Sequence, residues 1–201
     1  MKYMRITTIL TLVSLVVSMT FAGVAKAHEF TVLLASAMSG PGEQGAREGF
    51  LVAAAEQDAH PDETADGHLG GLDVFVARLD MTGDNIEQSL NTRLAKGDVD
   101  IVAIFPTGSR GEELRRVAEL AGIVVIAPAP LPFNGSPDAA PVASEFVSAF
   151  TQRFGYEPDS NAAQGYQIAR RIDDAVRPFD SAANTQELRH RLDATAGGFN
   201  W

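Results

Sequence analysis

The chain has 201 residues and no cysteine, with 16 Lys and Arg set against 26 Asp and Glu, a formal net charge of −10. The lack of cysteine excludes disulfides, thiolate metal sites and a lipid anchor through an N-terminal Cys. The acidic balance argues against nucleic acid and anionic lipid headgroups as partners, since like charges repel.

Residues 1–27 read as a secretory signal peptide. MKYMR carries two positive charges, ITTILTLVSLVVSMTF is an apolar run, and Ala25-Lys26-Ala27 offers small residues at a cleavage site. The competing reading is an uncleaved membrane anchor, which Ser14, Ser18 and Thr20 weaken by interrupting a short apolar stretch. Cleavage leaves residues 28–201, within the size range of one domain. It removes Lys2, Arg5 and Lys26 and no acidic residue, so the exported chain is more acidic still. The expected location is the periplasm, with no membrane insertion after cleavage.

After the leader, strand and helix patterns alternate. Residues 30–36 (FTVLLAS) form a β-rich apolar run that ends in the Gly/Pro loop of residues 37–45. A helix is expected over 46–58, with Phe50, Ala53 and Ala54 at helical spacing. Residues 60–71 (HPDETADGHLGG) read as a long polar loop. Next come a strand at 72–79, a helix at 86–95, a strand at 99–105, a helix at 109–120 stopped by Gly122, and a fourth strand at 123–127. Residues 133–141 (FNGSPDAAP) look like a turn-rich connection, and three helices follow at about 142–154, 161–176 and 185–195.

Strands that are apolar on both faces and separated by helices predict an α/β three-layer sandwich, with a mainly parallel, Rossmann-like sheet. In such sheets ligands bind beyond the carboxyl ends of the strands. The candidate loops are therefore 37–45, 80–85, 106–109 and 128–132. On the helix at 161–176, Ala162, Tyr166, Ala169 and Ile172 fall on one side to face the sheet, while Arg170, Arg171 and Asp174 are expected to reach water.

Catalytic and metal readings find little support. No Gly-x-Ser-x-Gly elbow surrounds Ser36, Ser39 or Ser109, and none of the four His has a triad context. Gly40-Pro41-Gly42-Glu43-Gln44-Gly45 lacks the Lys-Ser/Thr ending of a phosphate loop and reads as a helix entry. Asp80, at a strand end, reads as a turn or capping residue. A terminal His28 could chelate copper through its amine and imidazole, but a chance terminal His is the commoner case. His60 and His68, with Asp62, Glu63 and Asp66, match no structural zinc spacing and read as a solvated loop. No enzyme activity, metal or cofactor is expected.

Three stretches together resemble the periplasmic solute-binding proteins of branched-chain amino-acid ABC transporters, the type I binding-protein fold. They are GPGEQGAREGFLVAAAEQ with GGLDVFVARLD, IVAIFPTGSRGEELRRVAELAGIVVIAPAP, and FVSAFTQRFGYEPDSNAAQGYQIARRIDDAV. The resemblance implies one α/β lobe of a fold that otherwise has two, with residues 133–141 standing where the second lobe would be inserted. An unrelated flavodoxin-like domain is the alternative fold.

The resemblance implies a ligand site at Ser39, at Thr107, Gly108 and Ser109 after the third strand, and at Ala127 and Ala129 after the fourth. Ser109 has a competing reading as a helix cap. At the position where the family carries Thr, this chain has Pro130, which offers neither hydroxyl nor N–H. The implied function is non-catalytic binding of amino acids or related small solutes, with an ABC permease as partner. The alternative is an accessory or sensory protein that kept the fold and binds another protein. On that reading Leu131, Phe133 and the terminal Trp201 become candidate partner anchors.

Overall fold

The computed structural model describes residues 28–36, 41–56, 64–105, 108–131, 141–179 and 181–198. In chain order the elements are β1 (Glu29–Ser36), α1 (Pro41–Glu56), β2 (Gly67–Leu69), β3 (Leu72–Asp80), α2 (Ile86–Lys96), β4 (Ile101–Ile104), α3 (Ser109–Leu120), β5 (Val124–Ile126), α4 (Pro141–Phe154), α5 (Ser160–Val176) and α6 (Thr185–Ala194). The sheet order is β2-β3-β1-β4-β5. β3, β1, β4 and β5 run parallel, and β2 adds an antiparallel edge hairpin to β3. The α/β reading holds.

Strand residues alternate between two cores, as a pleat with period two requires. Val32 and Leu34, Ile101 and Ala103, and Val124 and Ile126 face one side, which α1, α4, α5 and α6 cover. Leu33 and Ala35, with Val102 and Ile104, face the other side, which α2 and α3 cover. The result is three layers with helices on both faces.

The first layer is held by a close crossing of α1 and α5. A methyl group on Gly49 would lie 1.9 Å from the carbonyl oxygen of Ala162, and one on Gly165 would lie 1.8 Å from that of Ala46. Both glycines are therefore places where one backbone rests on the other. α4 docks outside this pair. Phe146 and Phe150 enter the core, Phe146 stacks on Tyr166 at 4.6 Å, and Arg153 donates to the Leu51 carbonyl at 2.8 Å. Tyr156, just beyond α4, donates to Glu48 of α1.

Three expectations need correcting. Residues 60–71 are not all loop, because 67–69 form β2. α1 begins at Pro41 rather than at 46, so the glycine-rich entry is already helical. Arg171 does not reach water: it is 3% exposed and bonded within the core, whereas Arg170 pairs with Glu56 and Asp174 is exposed. Residues 132–140 lie outside the described residues, as do His60, Asp62, Glu63, Phe133 and Trp201. Among the described residues no group of three or more potential ligands is placed to hold a metal ion, and His68 instead meets Asp73 at 2.7 Å.

Tyr166 makes the fold sensitive to alkali. Burial, with the Glu56 carboxylate beside it, holds the phenol well above its ordinary value of 10.0. An unfolded tyrosine loses its proton near that value while the folded one keeps it, so stability is present below it and falls as pH rises beyond it. Melting temperature should decline from about pH 10 upward, and Tyr166→Phe should flatten the decline. An equal slope in both proteins would refute this assignment.

Candidate functional site at the carboxyl end of the sheet

The switch point of the sheet lies between β1 and β4, where the chain leaves toward opposite edges. The loops that follow these strands, 37–40 and 106–107, fall outside the described residues, and Ser39 and Thr107 with them. The described part of this end is built from the start of α3, the turn after β3 and the exit of β5.

Gly108 is the N-cap of α3, at φ 64° and ψ −139°, and as a glycine it has no side chain with which to cap the helix. The left-handed φ strains any residue with a Cβ, although a Cβ here would meet nothing within 4 Å. The Gly108 carbonyl takes the N–H groups of Gly111 and Glu112 at 3.1 and 3.4 Å. Ser109 is the first helical residue and exposed, so the cap falls one residue before it. With the Gly111 and Glu112 N–H groups taken, the first-turn donors left without an intrahelical carbonyl are those of Ser109 and Arg110, and the positive end of the helix dipole adds to their pull on an anion.

The turn after β3 is fastened to this helix. Asp80 accepts from the N–H and hydroxyl of Thr82 at 2.8 and 2.7 Å, which makes it a turn residue as its position predicts. Arg110 donates to the carbonyls of Met81 and Thr82 at 2.9 and 3.4 Å. Between the starts of α2 and α3 lies an open cavity of about 450 Å³, lined among others by Asp84, Asn85, Glu87, Arg110 and Glu113. Glu87 hydrogen-bonds Glu113, and that bond, with the neighbouring negative charge, holds the Glu87 carboxyl above its ordinary range. One cation and several carboxylates thus share a rim.

At the β5 exit the backbone is secured from inside. Arg171 donates to the Ala127 carbonyl at 2.6 Å, and to the Leu192 carbonyl and the Thr195 hydroxyl at 2.8 Å each. Burial pushes its pKa below the usual guanidinium value. Gln167, fully buried, accepts from the Ala129 N–H at 2.9 Å and donates to the Pro130 carbonyl at 3.2 Å. Pro130 has no N–H to add to this set. β4 and β5 are neighbours, so Gly108, Ser109, Ala127 and Ala129 all lie at the same end of the sheet.

Gln167 and Arg110 are polar residues of this end that the sequence reading did not single out, and Arg171 is one that it placed in water. The one signal for Gln167 and Arg171 was their spacing of four on a helix, which puts both side chains on one side.

No protein-family model matches the chain, and no curated protein matches it. Among solved structures it resembles a leucine-binding protein of Thermotoga maritima, with a TM-score of 0.34 and 16% identity over 84% of this chain and 52% of that one. It also resembles an ABC transporter substrate-binding protein of Desulfitobacterium hafniense in complex with Leu (TM-score 0.26, 19% identity, 76% and 54% covered). A third is a branched-chain amino acid transporter substrate-binding protein of Streptococcus pneumoniae in complex with isoleucine (TM-score 0.28, 15% identity, 82% and 49% covered). The chain spans about half the length of these proteins. Over that half it is similar to substrate-binding proteins of ABC transporters, branched-chain amino-acid binders among them.

Proposed function

We propose that the chain is a non-catalytic periplasmic solute-binding protein, taking amino acids or related small solutes as a component of an ABC import system. The observation that carries this reading is the start of α3 at Gly108, a cap residue without a side chain, at the carboxyl end of the sheet. Its first-turn donors suit a carboxylate, and the adjoining rim offers Arg110 beside Glu87 and Glu113, a mixture that suits a zwitterion. A single lobe leaves such a ligand partly in water, where hydrogen bonds compete with solvent, so affinity is weaker than in a closed clamp.

A second reading rests on the β5 exit, where the Ala127 and Pro130 carbonyls and the Ala129 N–H are bonded to Arg171 and Gln167. On that reading the chain is an accessory or sensory protein whose partner is another protein. A thermal-shift screen of amino acids and other small solutes separates the two. The solute reading expects a saturable rise in melting temperature with at least one amino acid. A flat response across the screen at millimolar concentrations contradicts it.

A further inference from the structure

We infer that residues 199–201, Phe-Asn-Trp, dock on the exit of β5, and that Trp201 there forms a side wall of the candidate site. The receiving surface is residues 127–131, which read APAPL. Three of its backbone polar groups turn inward, the Ala127 and Pro130 carbonyls and the Ala129 N–H, each bonded to Arg171 or Gln167. Pro128 and Pro130 have no N–H to turn outward. Pro130 is exposed, Ala127 and Pro128 are partly so, and Leu131 packs on the core with only part of its surface. The strip thus offers water a mainly apolar surface, which suits an aromatic ring that gains from burial without needing a polar partner.

The last helix delivers the tail to this strip. α6 runs beside β5 from its entry to its exit. Arg189, midway along α6, donates to the carbonyls of Gly122 and Ile123 at 2.7 and 3.0 Å, at the entry. At the other end, the Leu192 carbonyl and the Thr195 hydroxyl are bonded by the same Arg171 guanidinium that holds the Ala127 carbonyl. The end of α6 and the exit of β5 are therefore one guanidinium apart, at the carboxyl end of the sheet. From there Ala196, Gly197 and Gly198 are exposed, and Gly198 sits at φ 149°, a conformation that favours glycine and lets the chain turn.

Residues 199–201 lie beyond the described chain, and three extended residues reach about 10 Å. That is roughly two strand spacings, enough to pass from β5 over the end of β4 toward the start of α3. Residues 196–201 carry no charged side chain, so no charge opposes their burial. The occupant is this chain's own tail, because a tether of a few residues keeps it at an effective concentration of about millimolar, above that of any free partner. The chain has one tryptophan and no cysteine, so each side of the contact can be marked singly.

Pro130→Cys labelled with bimane, a fluorophore that tryptophan quenches on contact, should be several-fold dimmer than the same label in a Trp201→Phe background. The label at Ala121→Cys, exposed just before the entry of β5, should be equally bright in both backgrounds. Quenching at 130 should persist on dilution, as contact within one chain requires. Equal brightness at 130 with and without Trp201 overturns the inference. So does quenching that fades on dilution, which assigns the strip to the tail of a second copy. If Pro130→Cys does not fold, Pro128→Cys supplies the same comparison. The wall role rests on the solute reading. With an amino acid that binds, deleting residues 199–201 should weaken Kd several-fold, and an unchanged Kd removes the wall while leaving the solute reading in place. A quenched label with a flat solute screen overturns the solute reading and the wall with it, and leaves the docking standing.

Discussion

Gly165→Ala should cost about 3 kcal/mol of folding stability, at the upper end of what overpacking usually costs. The added methyl would meet the Ala46 carbonyl oxygen at 1.8 Å, and a backbone oxygen inside a helix has no rotamer with which to move aside. α1 and α5 must separate instead, and both carry side chains into the same core. Gly49→Ala should behave alike, because its methyl meets the Ala162 oxygen at 1.9 Å. One separation relieves both clashes, so the double substitution should cost clearly less than the sum of the two. Gly83→Ala, where a Cβ meets nothing within 4 Å, is the control and should change stability little. Urea unfolding midpoints read all four. Additive losses, or a neutral Gly165→Ala, would show that the helices do not cross as described.

Ile172→Asp should unfold the protein at room temperature. Ile172 is 0% exposed within the cluster that joins α5 to the sheet, so a carboxylate there would be set among apolar side chains. Its nearest cationic neighbour in sequence, Arg171, is committed to three acceptors elsewhere. Burying an unpaired charge costs several kcal/mol, roughly the entire stability of a domain of this size. Ile172→Val, which removes one methylene, should cost only about 1 kcal/mol. A cooperative melt retained by the Asp variant would mean that α5 is not seated on the sheet.

The four parallel strands were legible because each carries a buried apolar run, and the pleat then fixes which residues face which core. The helices over 109–120 and 161–176 were legible for a related reason, since their apolar spacing matches the turn. What the pattern missed follows from contacts that lie far apart in sequence. β2 is a three-residue strand, too short to show a period, and its position is set by pairing with β3 from Gly67 opposite Val74 to Leu69 opposite Leu72. Gly42 and Gly45 read as part of a loop that ends at 45, because glycine lowers helix propensity. In the structure Gly45 sits inside α1, where a Cβ would lie 2.7 Å from the Asp159 carboxylate that caps α5.

Arg171 is the sharpest case. Hydropathy puts an arginine outside, and α5 has a clear apolar face to turn inward. Yet this helix lies between the sheet, α1 and α6, so its polar residues are enclosed too, and Gln167 and Arg171 find backbone partners about forty residues away. No local pattern announces a partner at that distance. The candidate site was legible to the same degree: a parallel sheet pointed to its carboxyl end, and the resemblance pointed to Gly108, Ser109, Ala127 and Ala129. That the β5 exit is already bonded from within emerged only from the packing of α5.

The most direct measurement is a titration of isotopically labelled residues 28–201 with L-leucine, followed by amide proton and nitrogen shifts. The solute-binding account predicts saturable shifts that centre on Gly108, Ser109, Arg110 and Gly111 at the start of α3, with smaller ones at Asn85 and Glu87 and little change on the outer face of α4. Saturable shifts centred elsewhere, or none across leucine and the other amino acids up to millimolar concentration, would contradict it.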